Sequence, residues 1–66
     1  MKVHVYITIK GSVDSLMLWK LIQQYKVNLT ADDNQTWVYG EVSYTTLGEL
    51  VAKCCLFGDV DVTVKR

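Results

Sequence analysis

Few residues in this chain are of the types that make or break bonds, and their placement argues against catalysis. His4 is the only histidine and stands alone on a strand segment, so it reads as a surface residue, not as a base or a ligand. Cys54 and Cys55 are neighbours, and adjacent residues of a helix cannot reach ordinary disulfide geometry with each other. No Cys-x-x-Cys occurs, so the chain offers no zinc-site spacing. Cys54 belongs to an apolar helical stripe and Cys55 to its margin, the pattern of small buried hydrophobes. Asp32 and Asp33 at a turn supply half a cation site and lack the further oxygen ligands calcium needs. The expectation is therefore a non-enzyme with no catalytic residue, no metal and no cofactor. What remains is the chemistry of binding, carried by Tyr6, Trp37 and Tyr39.

Those rings come from segments with a period of two. Val3, Val5, Ile7 and Ile9 fall on one side of the first segment, with His4, Tyr6 and Thr8 on the other. Around position 37, Val38, Gly40 and Val42 oppose Trp37, Tyr39 and Glu41. Such alternation marks half-buried strands. One face is committed to a core, and the other is left open with its aromatic rings.

The elements that must position the rings follow from local signals. Lys2 to Lys10 reads as the first strand, and Gly11-Ser12 ends it. Ser12 is the expected N-cap of a helix running to about Lys26, with Asp14 in the first turn, where the helix dipole favours negative charge. Met17, Leu18, Leu21, Ile22 and Tyr25 form its inward stripe, leaving Leu16 and Trp19 outside. Val27 to Asp32 reads as a second strand, with Val27, Leu29 and Ala31 on one face. Asp33-Asn34 supplies the turn, and a third strand runs from about Gln35 to Tyr44. Thr46-Leu47-Gly48-Glu49 fits a capping box opening a second helix. Its stripe is Leu47, Leu50, Val51, Cys54 and Phe57, and Gly58 is the expected stop. Val60, Val62 and Val64 alternate with Asp61, Thr63 and Lys65 in a last strand. Gly40 suits a place where a helix approaches the central strands closely.

Composition bounds the rest. Sixty-six residues allow one domain, 1–66, with one modest core. Half of the residues are hydrophobic, which excludes disorder. Seven basic and seven acidic residues cancel, so no long-range attraction to nucleic acid is expected. No apolar run is long enough for a membrane span and no signal peptide is evident, so a cytoplasmic setting is expected. So short a chain needs a staple. With no disulfide or metal in view, self-association or unusually good packing must serve.

The order strand–helix–strand–strand–helix–strand, joined by right-handed crossovers, predicts an α+β fold. It resembles the ferredoxin-like βαββαβ plait: a four-stranded antiparallel sheet with two helices on one face. In that arrangement the first and third strands are central, so His4 and Tyr6 stand beside Trp37 and Tyr39. The segments Tyr25-Lys26-Val27-Asn28-Leu29 and Phe57-Gly58-Asp59-Val60-Asp61-Val62 resemble ACT domains. That likeness implies an amino-acid-sensing module with its ligand at the loop Lys10, Gly11 and Ser12. Val5-Tyr6-Ile7 and Thr36-Trp37-Val38-Tyr39 resemble the strand motifs of RNA-recognition-motif domains. That likeness implies Tyr6, Trp37 and Tyr39 as stacking platforms for a single-stranded nucleic acid, with Lys2, Lys10, Lys65 and Arg66 meeting phosphates.

The third expectation needs no family. An open sheet face bearing a tryptophan and two tyrosines is an apolar patch of the kind that marks protein interfaces. The expected function is a small binding module, a homo-oligomer or a docking partner of another protein. Its contact residues are Tyr6, Trp37, Tyr39 and His4, with Trp19 on the first helix as a second anchor.

Overall fold

A computed structural model describes residues 1–11 and 13–65 of the chain. Ser12 and Arg66, named above as a cap and ligand residue and as a phosphate contact, lie outside the described residues. Four strands form one antiparallel sheet: β1 (Lys2–Lys10), β2 (Asn28–Ala31), β3 (Gln35–Ser43) and β4 (Val60–Lys65), in the order β2-β3-β1-β4. The helices are α1 (Ser15–Ile22), extended by a 3₁₀ turn at Gln23–Tyr25, and α2 (Tyr44–Cys55).

The sheet is built on its two nine-residue strands, which pair over their full length from Lys2 opposite Ser43 to Lys10 opposite Gln35. The register sets Val3, Val5, Ile7 and Ile9 against Val42, Gly40, Val38 and Thr36, so all eight share a face. Its apolar members are buried, and they join Leu18 and Ile22 of α1 and Leu50 and Cys54 of α2 in one cluster. Leu47, Val51 and Phe57 pack at its margin, so the second helix buries the expected stripe. The first buries less. Leu18 and Ile22 are fully covered and Leu21 and Tyr25 half-buried, but Met17 is 56% exposed, at the margin of the strip the sheet covers. Leu16 and Trp19 are exposed, as their positions outside the stripe require.

Several boundaries differ from the sequence expectation, each for a hydrogen-bonding reason. The first helix starts at Ser15 and its cap is Asp14, whose carboxylate accepts from the Met17 amide at 3.1 Å. It stops short of Lys26, which closes the 3₁₀ turn in a left-handed conformation (φ 58°, ψ 40°). The second helix begins at Tyr44, capped by Ser43, whose hydroxyl accepts from the Thr45 amide at 3.3 Å. Thr46 is not the cap. Its hydroxyl donates back to the Ser43 carbonyl at 3.0 Å. At the β2–β3 turn the working group is Asp32, not Asp33-Asn34: its Oδ1 accepts from the amides of Asn34 and Gln35 at 2.7 and 2.8 Å.

Gly40 does meet a close neighbour, but not a helix. A Cβ there would lie 3.2 Å from Val27 Cγ1 and 3.3 Å from Val27 Cα, so the chain entering β2 is what crosses it. No helix among the described residues is long and apolar enough to cross a membrane.

Candidate functional site

The face opposite the core is an ordered set of cross-strand rows. Because paired residues share a side, the register places Asn28, Tyr39, Tyr6 and Thr63 in one row from β2 to β4. The next row toward one end of the sheet is Thr30, Trp37, Thr8 and Asp61. The next toward the other end is Glu41, His4 and Lys65. All the open-face residues expected from alternation are here, but the pairing differs from the expectation: Tyr6 stands opposite Tyr39, Trp37 opposite Thr8, and His4 opposite Glu41, two rows away from Trp37.

Tyr6 and Tyr39 are 47% and 36% exposed, and their rings stack with centroids 5.9 Å apart and planes inclined by 25°. That separation lies in the range where offset rings attract beyond simple burial. Tyr39 is further steadied by its hydroxyl, 3.3 Å from the Thr30 hydroxyl on the neighbouring strand. Trp37 is half-buried between its threonine neighbours and takes no part in the stack. Trp19 sits on α1, in the helix layer, so the sheet separates it from the tyrosine pair.

Beside the stacked pair, toward the end of the sheet where His4 and Lys65 stand, lies a shallow depression of about 420 Å³. Tyr6, Tyr39, His4, Thr63 and Lys65 rim it, with Val5 and Gly40 between them. Thr63 carried no role in the sequence reading, and Lys65 was only a phosphate contact. Their signal was the β1–β4 register, which sets Tyr6 opposite Thr63 and His4 opposite Lys65. His4 Nε2 lies 3.4 Å from Glu41 Oε2, and both side chains are well exposed, so the pair adds little stability.

The remaining candidates are scattered. Lys10 reaches Asp61 across the sheet at 3.8 Å, and the Gly11 amide donates to the Asn34 carbonyl at 2.8 Å. The loop after β1 is thereby tied to the β2–β3 turn. Cys54 is buried and Cys55 exposed, and burial, with Cys55 adding to it, pushes the Cys54 thiol up to about 11. A thiol held protonated is a poor nucleophile. Between the helices Lys53 donates to the Tyr25 hydroxyl at 2.9 Å. Its ammonium lies 5.1 Å from the ring centroid, beyond the phenol edge, so this is a hydrogen bond and not a cation–π contact. Among the described residues no three His, Cys, Asp or Glu side chains gather as a metal site would require.

No family model matches the chain, and neither does any curated protein or solved structure.

Proposed function

We propose that this chain is a non-enzymatic binding module of the ferredoxin-like plait type, and that its open sheet face docks protein. A second copy of the chain is the first partner to test. The observation that carries the proposal is the stacked, part-exposed Tyr6–Tyr39 pair beside a depression on a face that no element among the described residues covers. Rings of this kind lose little rotational freedom on binding and bury a large area, which is why tyrosine and tryptophan dominate interface energetics. The polar rim of His4, Thr63 and Lys65 suits an interface with an apolar centre. The strand order β2-β3-β1-β4, with helices following β1 and β3, supports the plait assignment.

Light scattering from micromolar to millimolar protein tests the self-docking form. Association that weakens about tenfold or more in Tyr39→Ala and Trp37→Ala supports it, and association indifferent to both removes the open face from consideration. A second occupant is favoured by one observation, Lys65 at the rim beside two stacked rings: a single-stranded nucleic acid, one base on the tyrosines and a phosphate on the ammonium. Glu41 and Asp61 on the same face oppose it. Titrating oligonucleotides at low salt while following tryptophan fluorescence decides between them. The amino-acid-sensing alternative places its ligand at Lys10, Gly11 and Ser12, of which Lys10 and Gly11 do not line the depression, and a thermal-shift panel of amino acids tests it.

A further inference from the structure

The outer edge of β4 carries a pattern that the open face does not explain. β4 is an edge strand of the sheet, so one row of its backbone amides and carbonyls has no strand partner among the described residues. Natural edges are usually kept short, or are broken by proline or an inward charge. The other edge, β2, is four residues long. β4 has six residues, three of them valines, and no proline. Val62 and Val64 stand opposite Ile7 and Val5, hence on the core side of the sheet. Ile7 and Val5 are 0% and 3% exposed, yet Val62 and Val64 are 39% and 43% exposed. Apolar surface on the core side therefore runs past the end of the helix layer.

The strand is also complementary to itself. When two copies of Asp61-Val62-Thr63-Val64-Lys65 run antiparallel about Thr63, Asp61 faces Lys65 of the second copy and Lys65 faces its Asp61. On the other side of the sheet Val62 faces Val64 of the second copy, and the reverse. Opposite charges directly across a strand pair are favourable, and like charges there are not. Asp61 is available for this: its carboxylate is exposed and its contact to Lys10 is loose at 3.8 Å.

We propose that the β4 edge is a homodimer seam, two copies pairing antiparallel about Thr63 to make one eight-stranded sheet. The arrangement is two-fold symmetric and closed, because the same strand serves as both surfaces. It brings the half-exposed valines together and saturates the free backbone edge. Paired residues share a face, so both tyrosine pairs end up on one continuous surface. The seam shares Lys65 with the rim of the open-face depression, but Asp61, Val62 and Val64 lie outside that rim, so Asp61→Lys is the change that reads the seam alone.

Reciprocal charge changes provide the test. Sedimentation equilibrium of the full chain at low salt compares the wild type, Asp61→Lys, Lys65→Asp, the doubly exchanged chain and an equimolar mixture of the two single variants. Each single variant sets like charges opposite one another twice in its homodimer, which raises the dissociation constant at least about tenfold. The double variant and the mixture restore opposite charges at both positions and return to within about threefold of the wild type. A wild type that stays monomeric to millimolar concentration overturns the seam. So do single variants that dimerise as the wild type does, or a mixture that fails to recover. Recovery in the mixture also shows that both variants are folded. Association lost in Tyr39→Ala but untouched by the charge exchanges places the contact on the open face and overturns the edge pairing.

Discussion

The stacked tyrosines should behave energetically as one unit, and a double-mutant cycle measures whether they do. Alanine is the wrong probe. Tyr39 and Tyr6 are 36% and 47% exposed, so each hides roughly half to two-thirds of the 150–250 Å² a buried tyrosine covers. At about 25 cal/mol per Å² the two truncations together cost up to about 7 kcal/mol. A 66-residue domain holds only about 3–10 kcal/mol in total, so the double alanine variant would be partly unfolded. Leucine keeps most of the apolar area and removes the ring. Tyr6→Leu should cost about 1 kcal/mol, and Tyr39→Leu slightly more, because the Thr30 hydroxyl also loses its partner. The double variant should cost about 0.5–1 kcal/mol less than the sum, since the ring–ring contact at 5.9 Å is lost only once. Urea unfolding of the four proteins at a common m value reads the difference. Additivity to within about 0.3 kcal/mol would refute a coupled pair and leave two independent surface rings.

Two further outcomes concern the scaffold. Gly40→Ala should destabilise by about 1–3 kcal/mol in urea unfolding, because the new methyl meets Val27 at 3.2 and 3.3 Å. Val27→Ala should relieve it only in part, since one of those contacts is to the Val27 Cα and the Gly40 φ of 156° strains any side chain there, and a stabilising Gly40→Ala would refute both. The buried Cys54 thiol sets an alkaline limit. Its proton is held to about 11 in the folded chain, while an unfolded thiol loses it near 8.5, so between these values the folded state binds more protons and stability falls as pH rises. Under reducing conditions Cys54→Ala should show a shallower loss from pH 8.5 to 11 than the parent, and parallel curves would remove the thiol as the cause.

The sheet was legible because a period of two leaves little freedom. Once Val3, Val5, Ile7 and Ile9 must be inside, Tyr6 must be outside, and the nine-residue pairing carries Tyr39 to its side. The caps were less legible because several hydroxyls and carboxylates compete within a few residues. Thr46 with Glu49 three positions on is the better capping pattern, yet Ser43 takes the role because the chain already turns at the end of β3. Asp14 likewise becomes the cap when the sequence offers it only as a first-turn charge. Met17 shows the limit of a helical stripe. Periodicity tells which way a side chain points, not how wide a strip the opposing surface can cover.

The same limit explains β4. Alternation assigns Val62 and Val64 to the core side correctly, but says nothing of whether a helix reaches them. The uncovered strip runs along the edge of the sheet and not across its strand ends. Val3, Val5, Ile7 and Ile9 are all buried, so the helices roof β1 from end to end, and the roof falls short sideways, over β4. There Asp61 and Lys65 stand two residues either side of Thr63 with opposite charge. With both cysteines free, a chain this short can offset a small core by sharing an edge, and the uncovered valines lie where that pairing would bury them. Removing them should therefore act on association more than on folding: Val62→Thr with Val64→Thr ought to weaken a dimer while leaving the monomer's own core intact.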